Sequence, residues 1–455
     1  MTGKILTRFA PSPTGYLHLG NARTALFNFL FSRASNGSFL LRIDDTDLAR
    51  SSIEFEKALM EDLTWLGLNW DEAPYRQSER VGLYKNYAEK LLKHKDAYRC
   101  YCSKERLEEL KKTQLASGKP PRYDGACREL LTRPLDTPHT VRFRVPMKEV
   151  SFVDGVHGRM TFPAADMGDF VIIGSDGVAS YNFASSVDDG LMGITHVIRG
   201  DDHLSNTPRQ MLLFKALEFD APVFCHIPLV LGPDRTPLSK RDAGASVRSL
   251  RDEGFLPLAV INTLSRLGWS PLFGAALKTL EELTQAFSLK RLSRSAAIFD
   301  SQTLRMYNKA TIQAAPIESL METISADCEA AYLKKVVVAA RPNASTLKEL
   351  SSLVWPFITT PDLTPEARLV LSSQSAPQVV KACIEALTRS DAPEAIDQRY
   401  YKLILSDVTE KTGVKGKPLY MPIRAALTGS CEGLELAVVF ALLGRRGALE
   451  RLERT

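Results

Sequence analysis

The sequence predicts an α/β fold built on a doubly wound parallel sheet, with helices filling the C-terminal half. Three observations carry this. A short apolar strand near the N-terminus (Ile5, Leu6, Phe9, Ala10) breaks at two prolines and a glycine and feeds a helix at once. A second strand, Phe39 to Ile43, ends on Asp44, Asp45 and Asp47. Carboxylates at the carboxyl end of a parallel strand face the crevice where such sheets bind ligands. Beyond residue 245 the pattern turns almost wholly helical.

Length and composition agree with this. At 455 residues the chain is too long for one core, and roughly two to four domains are expected. Lys+Arg 58 against Asp+Glu 53 leaves a net charge of +5, a mild basic excess that permits a polyanionic partner without identifying one. The 44% hydrophobic and 24% charged content is that of a soluble globular protein. No apolar run approaches the ~20 residues of a membrane span, and no basic-then-apolar leader opens the chain. Seven scattered cysteines read as reduced cytosolic thiols.

Taken in order, the elements bear out one another. After the first strand, Ala22, Ala25, Leu26, Phe29 and Leu30 recur on one helical face. A strand, a turn and a helix start present free N–H groups and a positive dipole end to an anion. His18 at that start can donate to a phosphate oxygen, and Gly20 lets a flat ring lie on the backbone. Over these few residues alone, an ordinary N-terminal turn reads the same. Residues 52–70 follow as an amphipathic helix on Ile53, Phe55, Ala58, Leu59, Leu63 and Leu66, and helical character runs on through Tyr98.

Cys100, Cys102 and Cys127 then set three thiols near one another. A closed zinc site needs four ligands. Three thiols fall one short of that, and a metal-free trio is favoured over bound zinc. From Thr140 to Tyr181 three apolar runs alternate with Gly and Asp turns, a β pattern. Arg199 ends a buried-looking strand, so its guanidinium calls for a carboxylate, either a nearby Asp or a ligand. Another apolar strand, Ile227 to Gly232, leads into a loop from Pro233 to Arg241. Residues 316–455 are successive amphipathic helices, with a basic loop entering a helix at 415–429.

The stretch from Arg8 to Leu26 resembles the nucleotide-binding loop of the class I aminoacyl-tRNA synthetases, and within them the glutamyl branch. The family's His-Ile-Gly-His tetrad stands here as His18, Leu19, Gly20 and Asn21, without the second imidazole. The run Arg42-Ile43-Asp44-Asp45-Thr46-Asp47 resembles the family's Arg-Ile-Glu-Asp-Thr-Asp, with Asp44 one methylene short. The polar block from Tyr181 to Gln210 is similar too. The loop ending Leu238-Ser239-Lys240-Arg241 resembles the Lys-Met-Ser-Lys-Ser loop, with Pro237 for the first Lys and Arg241 for the last Ser.

This resemblance implies a class I synthetase Rossmann-type sheet with an inserted α+β acceptor-stem domain, followed by all-α stem-contact and anticodon-binding domains. It implies sheet halves at 1–86 and 182–232, the insert at 87–181, a lysine loop and stem-contact domain at 233–315, and an anticodon-binding region at 316–455, split near 370. The implied reaction is ATP-dependent ligation of L-glutamate to the 3′ end of tRNA-Glu through glutamyl-adenylate, with Mg²⁺. Charging of tRNA-Gln, wholly or in part, and a non-catalytic tRNA-binding relative are the alternatives. A cytoplasmic monomer is expected.

The same resemblance assigns residues. His18, Lys240 and Arg241 are catalytic, and Pro11, Gly20, Asn21, Asp202 and Lys240 take ATP. Arg8, Ala10, Ser12, Asp44, Tyr181, Ser185, Arg199 and His203 take glutamate. Arg199 would grip the side-chain carboxylate bidentately and so separate glutamate from glutamine. Lys240 would stabilise charge as pyrophosphate departs. Cys100, Cys102, Cys127 and Glu129 form the candidate zinc set.

Overall fold

The catalytic sheet is assembled from two separated pieces of chain. The computed structural model describes residues 4–47, 50–130, 137–236, 238, 246–270, 274 and 276–454. Strand β1 (Leu6–Phe9) leads to helix α1 (Leu19–Ala34) and strand β2 (Ser38–Ile43). All six residues of β2 are buried, as expected of a strand covered on both faces of a parallel sheet. β1 pairs in parallel with β2, Leu6 opposite Ser38. Helix α2 (Ile53–Trp65) is capped by Ser52, whose side chain accepts the Glu54 N–H. A short strand β3 (Tyr75–Arg76) pairs in parallel with the far side of β2.

Helix α3 (Val81–Lys93) then ends, and strand β4 (Ala97–Cys100) begins the inserted block. Here the structure departs from the helical reading that ran through Tyr98. Lys95 takes φ 64, which stops the helix, and Tyr98 lies opposite Arg142 in a ladder. Long-range pairing overrides the local pattern at this point. Helix α4 (Lys104–Ala116) buries none of its residues. Strands β5 (Thr140–Phe143), β6 (Val150–Asp154) and β7 (Gly158–Phe162) follow, then the short helix α5 (Ala164–Met167) and strand β8 (Val171–Ile173). β4, β5 and β8 form one antiparallel sheet, and β6 with β7 a hairpin.

Tyr181, read as the end of the β-like block, instead opens helix α6 (Tyr181–Leu191). Strand β9 (His196–Gly200) and, after helix α7 (Thr207–Ala216), strand β10 (Val223–Ile227) supply the second part of the sheet, again in parallel. Thr195 stitches the two pieces together. Its N–H donates to Leu6 O at 3.0 Å, and its hydroxyl accepts the Leu6 N–H at 3.0 Å. Laterally the strands therefore run β3-β2-β1-β9-β10.

Two compact units are present, residues 1–251 with 260–301, and residues 252–259 with 302–455. The stretch after residue 245 is not wholly helical. Ala297–Ile298 forms a two-residue strand, β12, against β11 (Val230–Leu231). The second unit is helical, from Ser301–Ala314 to Leu436–Leu452. Its own core gathers Val336, Val337, Leu350, Val354, Val379, Ile423 and Phe440 among others. No helix among the described residues is long and apolar enough to cross a membrane.

Candidate active site

Strands β1 and β9 end at the same edge, and the chain that leaves each one wraps a cleft of about 320 Å³. From the first come Arg8, Ala10, Pro11 and Ser12, with Asn21 on the first turn of α1. From the second come Arg199, Asp202 and His203, with Tyr181 at the head of α6. Nine residues expected to take ATP or glutamate thus share one crevice at the carboxyl ends of parallel strands. Thr14 and Thr24, quoted within the 8–26 stretch without a role, also line it. His18 caps α1, and its Nδ1 accepts the Gly20 N–H at 3.2 Å. In the neutral ring the proton then sits on Nε2.

The two guanidiniums in this cleft differ in one respect. Arg8 is neutralised: its Nε and Nη2 donate to Asp189 at 3.0 and 3.2 Å. Arg199 is not. It is buried, and its Nε donates to His226 Nε2 at 3.1 Å. Its Nη2 donates to Thr207 Oγ1 at 2.7 Å and Gln210 Oε1 at 2.8 Å. All these acceptors are uncharged. The remaining nitrogen, Nη1, is buried, and a side-chain hydrogen bond with Tyr181 supports the cation. Among the described residues no carboxylate forms an ion pair with Arg199, so the internal partner considered from sequence is not found. Burial lowers the Arg199 pKa, and Tyr181 is its nearest electrostatic support. A buried cation without an anion is unfavourable until one arrives.

Geometry also changes how that anion is taken. The bidentate grip expected of Arg199 would need Nε or Nη2, and both are already engaged. Nη1, with Tyr181 beside it, is the donor left for a ligand. Tyr181 Oη lies 3.2 Å from His203 Nδ1, and burial lowers the His203 pKa, which keeps this ring neutral near pH 7.

Asp44 and Ser185 stand apart from the cleft wall. Both Asp44 oxygens accept from Arg42, at 2.6 and 3.1 Å, and Ser185 Oγ accepts from Arg42 Nη2 at 3.1 Å. Arg42 Nη1 also donates to Asp189 at 2.6 Å. This closed set of Arg8, Asp189, Arg42 and Asp44 is wholly buried. Burial lifts the Asp44 carboxyl to about 6 against the pull of Arg42. Asp189 is held below its ordinary value, because Arg8 and Arg42 together outweigh burial. Arg42 was quoted in the strand motif without a role, and its centrality appears only when α6 folds over β2.

The three thiols do converge. Cys100, Cys102 and Cys127 lie with their sulfur atoms within 4.8 Å of one another. Glu129 is not with them. It is exposed and accepts from Arg144 Nη1 at 2.6 Å. The oxygen at the cluster belongs instead to Tyr123, whose hydroxyl lies 3.3 Å from Cys100 Sγ and 3.4 Å from Cys102 Sγ. Lys240 and Arg241, the expected charge-stabilising pair, lie outside the described residues.

Comparison with known proteins identifies the family. Residues 4–306 match the family profile described as tRNA synthetases class I (E and Q), catalytic domain, and residues 313–455 match an anticodon binding domain. A glutamate–tRNA ligase of a Sulfurihydrogenibium species is 43% identical over 98% of this chain and 98% of its own. That of Aquifex aeolicus is 42% identical over 99% and 98%. Among solved structures, a glutamate tRNA ligase from Elizabethkingia meningosepticum, in complex with its amino acid, has a TM-score of 0.84 at 28% identity, covering 99% of both chains. The glutamate–tRNA synthetase of Elizabethkingia anophelis reaches 0.82 at the same identity and coverage.

Proposed function

The chain belongs to the class I tRNA synthetases (E and Q), and from that premise we propose that it is an ATP-dependent glutamate–tRNA ligase acting on tRNA-Glu. The glutamate α-carboxylate attacks the α-phosphate of ATP, the bond to the β-phosphate breaks, and glutamyl-adenylate forms with loss of pyrophosphate. The terminal ribose hydroxyl of the tRNA then takes the acyl group and AMP leaves. No side-chain nucleophile is needed, so the chain's work is positioning and charge stabilisation.

One observation supports the choice of amino acid: the buried guanidinium of Arg199, in the wall of the cleft, has no carboxylate ion-pair partner among the described residues. A side-chain carboxylate completes it. The amide of glutamine would offer at best a neutral oxygen and would leave the cation uncompensated. Arg8, Ala10 and Ser12 line the same cleft as further contacts for the amino acid, with His203 beside Tyr181. Asp44, drawn onto Arg42, supports this wall from behind.

His18, Gly20 and Asn21 at the start of α1 suit the triphosphate, with Pro11 and Asp202 on the nucleotide side. Mg²⁺ accompanies ATP, and Lys240 with Arg241 meets the developing charge. The thiol cluster has three sulfur ligands and no Glu129 beside them, and it is read as a metal-free trio with the Tyr123 hydroxyl against Cys100 and Cys102. The chain is read as a cytoplasmic monomer.

The test is aminoacylation of purified tRNA-Glu and tRNA-Gln side by side, with glutamate and with glutamine. Charging of tRNA-Glu with glutamate alone is expected, and charging of neither tRNA would end the reading. Arg199→Ala should raise the glutamate KM roughly 10²-fold or more. An unchanged KM would refute the carboxylate assignment.

A further inference from the structure

Two of the three Arg199 nitrogens, Nε and Nη2, are held by neighbouring side chains, which fixes the guanidinium in the cleft wall. Its Nε–H is a donor and nothing else. His226 Nε2, 3.1 Å away, must therefore accept, which places the ring proton on Nδ1. That proton meets Asp154 Oδ2 at 2.6 Å. Asp154 is itself pinned. Its Oδ1 accepts the N–H groups of Val156 and His157 at 2.8 and 2.9 Å, and its Oδ2 accepts the His226 N–H at 3.2 Å. The side chains of His226 and Asp154 are both fully buried.

The two ends of this chain of bonds come from different parts of the fold. Asp154 closes β6 in the hairpin, His226 sits in β10, and Arg199 lies opposite His226 in the neighbouring strand β9. The hairpin is docked closely there. Gly155 N–H donates to Phe224 O at 2.7 Å, and a Cβ on Gly155 would come within 2.3 Å of Cys225 Sγ.

We propose that Asp154 and His226 are positioning residues for amino-acid recognition: the Asp154 carboxylate fixes the tautomer of His226, and His226 fixes the rotation of the Arg199 guanidinium about its long axis, so that Nη1 alone faces the bound side-chain carboxylate. The inference rests on the reading of Arg199 given above. It carries a defined polarity: Arg199 Nε–H donates to His226 Nε2, which also lies 3.0 Å from the Thr207 hydroxyl, and His226 Nδ1–H donates to Asp154. Reversing that polarity, rather than removing volume, should disable recognition.

Asp154→Asn does this with almost no change of shape. Two oxygen sites are needed at residue 154, toward the backbone N–H pair and toward His226 Nδ1, and an amide supplies one. With its oxygen kept on the N–H pair, its NH₂ faces Nδ1, the imidazole proton moves to Nε2, and Nε2–H then opposes Arg199 Nε–H. The loss of a charge-assisted hydrogen bond of this kind corresponds to ~10–100-fold. The glutamate KM should rise by that factor, with the ATP and tRNA KM values and kcat changed less than about twofold. His226→Gln, whose amide can accept from Arg199 and donate to Asp154, should keep most of the wild-type glutamate KM. His226→Leu should not, and this pair carries the test if Asp154→Asn does not fold.

The proposal is overturned if Asp154→Asn, folded, leaves the glutamate KM unchanged. It is likewise overturned if His226→Gln and His226→Leu raise that KM equally, or if all KM values and kcat shift together with the thermal midpoint, as a purely structural tie would produce. Arg199→Ala, run in parallel, separates the two readings. If it raises the glutamate KM while Asp154→Asn does not, the relay fails and the assignment of Arg199 stands. If Arg199→Ala itself has no effect, the assignment fails first.

Discussion

On the proposed reading, Arg199 and Lys240 divide the electrostatic work between ground state and transition state. The Arg199 charge is buried and waits for a carboxylate, so it acts on substrate binding and its loss should appear in KM. Lys240, in a basic loop past the last strands of the sheet, serves a charge that exists only while pyrophosphate leaves. Its loss should appear in the rate: Lys240→Ala is expected to slow glutamyl-adenylate formation by ~10²–10³, the effect of removing one preorganised donor. Single-turnover formation of the adenylate measures this, and a rate within a few-fold of wild type would remove Lys240 from that role. Both residues were visible in the chain because each carries a local mark, a cation at the end of an apolar strand and a cation in a family loop. His226 carries no such mark. It reads as one more strand residue, and its partner Asp154 is 72 residues earlier. Glu129 shows the converse: its spacing suited a fourth metal ligand, yet Arg144 holds it outside the cluster.

Elements behaved as their local signals required wherever caps and periodicity agreed. α1 and β2 were legible because a turn rich in Pro and Gly, a helical face and an apolar run all pointed the same way. β4 was not, since the sequence around Tyr98 continues a helical pattern and only the ladder with β5 makes it a strand. In the second unit the helix Lys417–Thr428 ends on Gly429 at φ 70, an αL cap whose N–H bonds back to Ala425 O at 2.9 Å. A Cβ there would approach Asp362 O to 2.5 Å. Gly429→Ala is therefore expected to destabilise by more than the roughly 1–2 kcal/mol of left-handed backbone strain alone, because an added clash with backbone cannot be relieved by a side-chain rotation. Chemical denaturation of the full chain measures this, and an unchanged midpoint would sink it.

At the scale of the whole molecule, the two depressed buried carboxylates set how stability responds below about pH 4, whereas Asp44, lifted to about 6, acts in the opposite direction above it. Asp189 is held below its ordinary 3.8 by Arg8 and Arg42 against burial. Asp154 is held below it by His226 and two backbone N–H groups, again against burial. With these native values depressed, the unfolded chain takes up protons first as pH falls. The stabilisation is thus fully present above the ordinary carboxylate value and is lost as pH drops below about 4. Thermal midpoints recorded from pH 7 to pH 3 should fall steeply at the acid end. A flat profile would contradict the native pairing of these carboxylates.

The sequence by itself determined the α/β class, the helical C-terminal half, and a strand–turn–helix start suited to an anion. These are properties written within short windows, where hydrophobic period, turn chemistry and motif spacing act on neighbours along the chain. Only the tertiary structure decided that Arg8 is neutralised while Arg199 is not, that Arg42 joins Asp44 to Asp189, and that two nitrogens of Arg199 are held by neighbouring side chains. The physical reason is that a buried charge is defined by what surrounds it. Those surroundings come from β1, α6, β9 and β10, brought together by strand pairing across as much as 189 residues of chain.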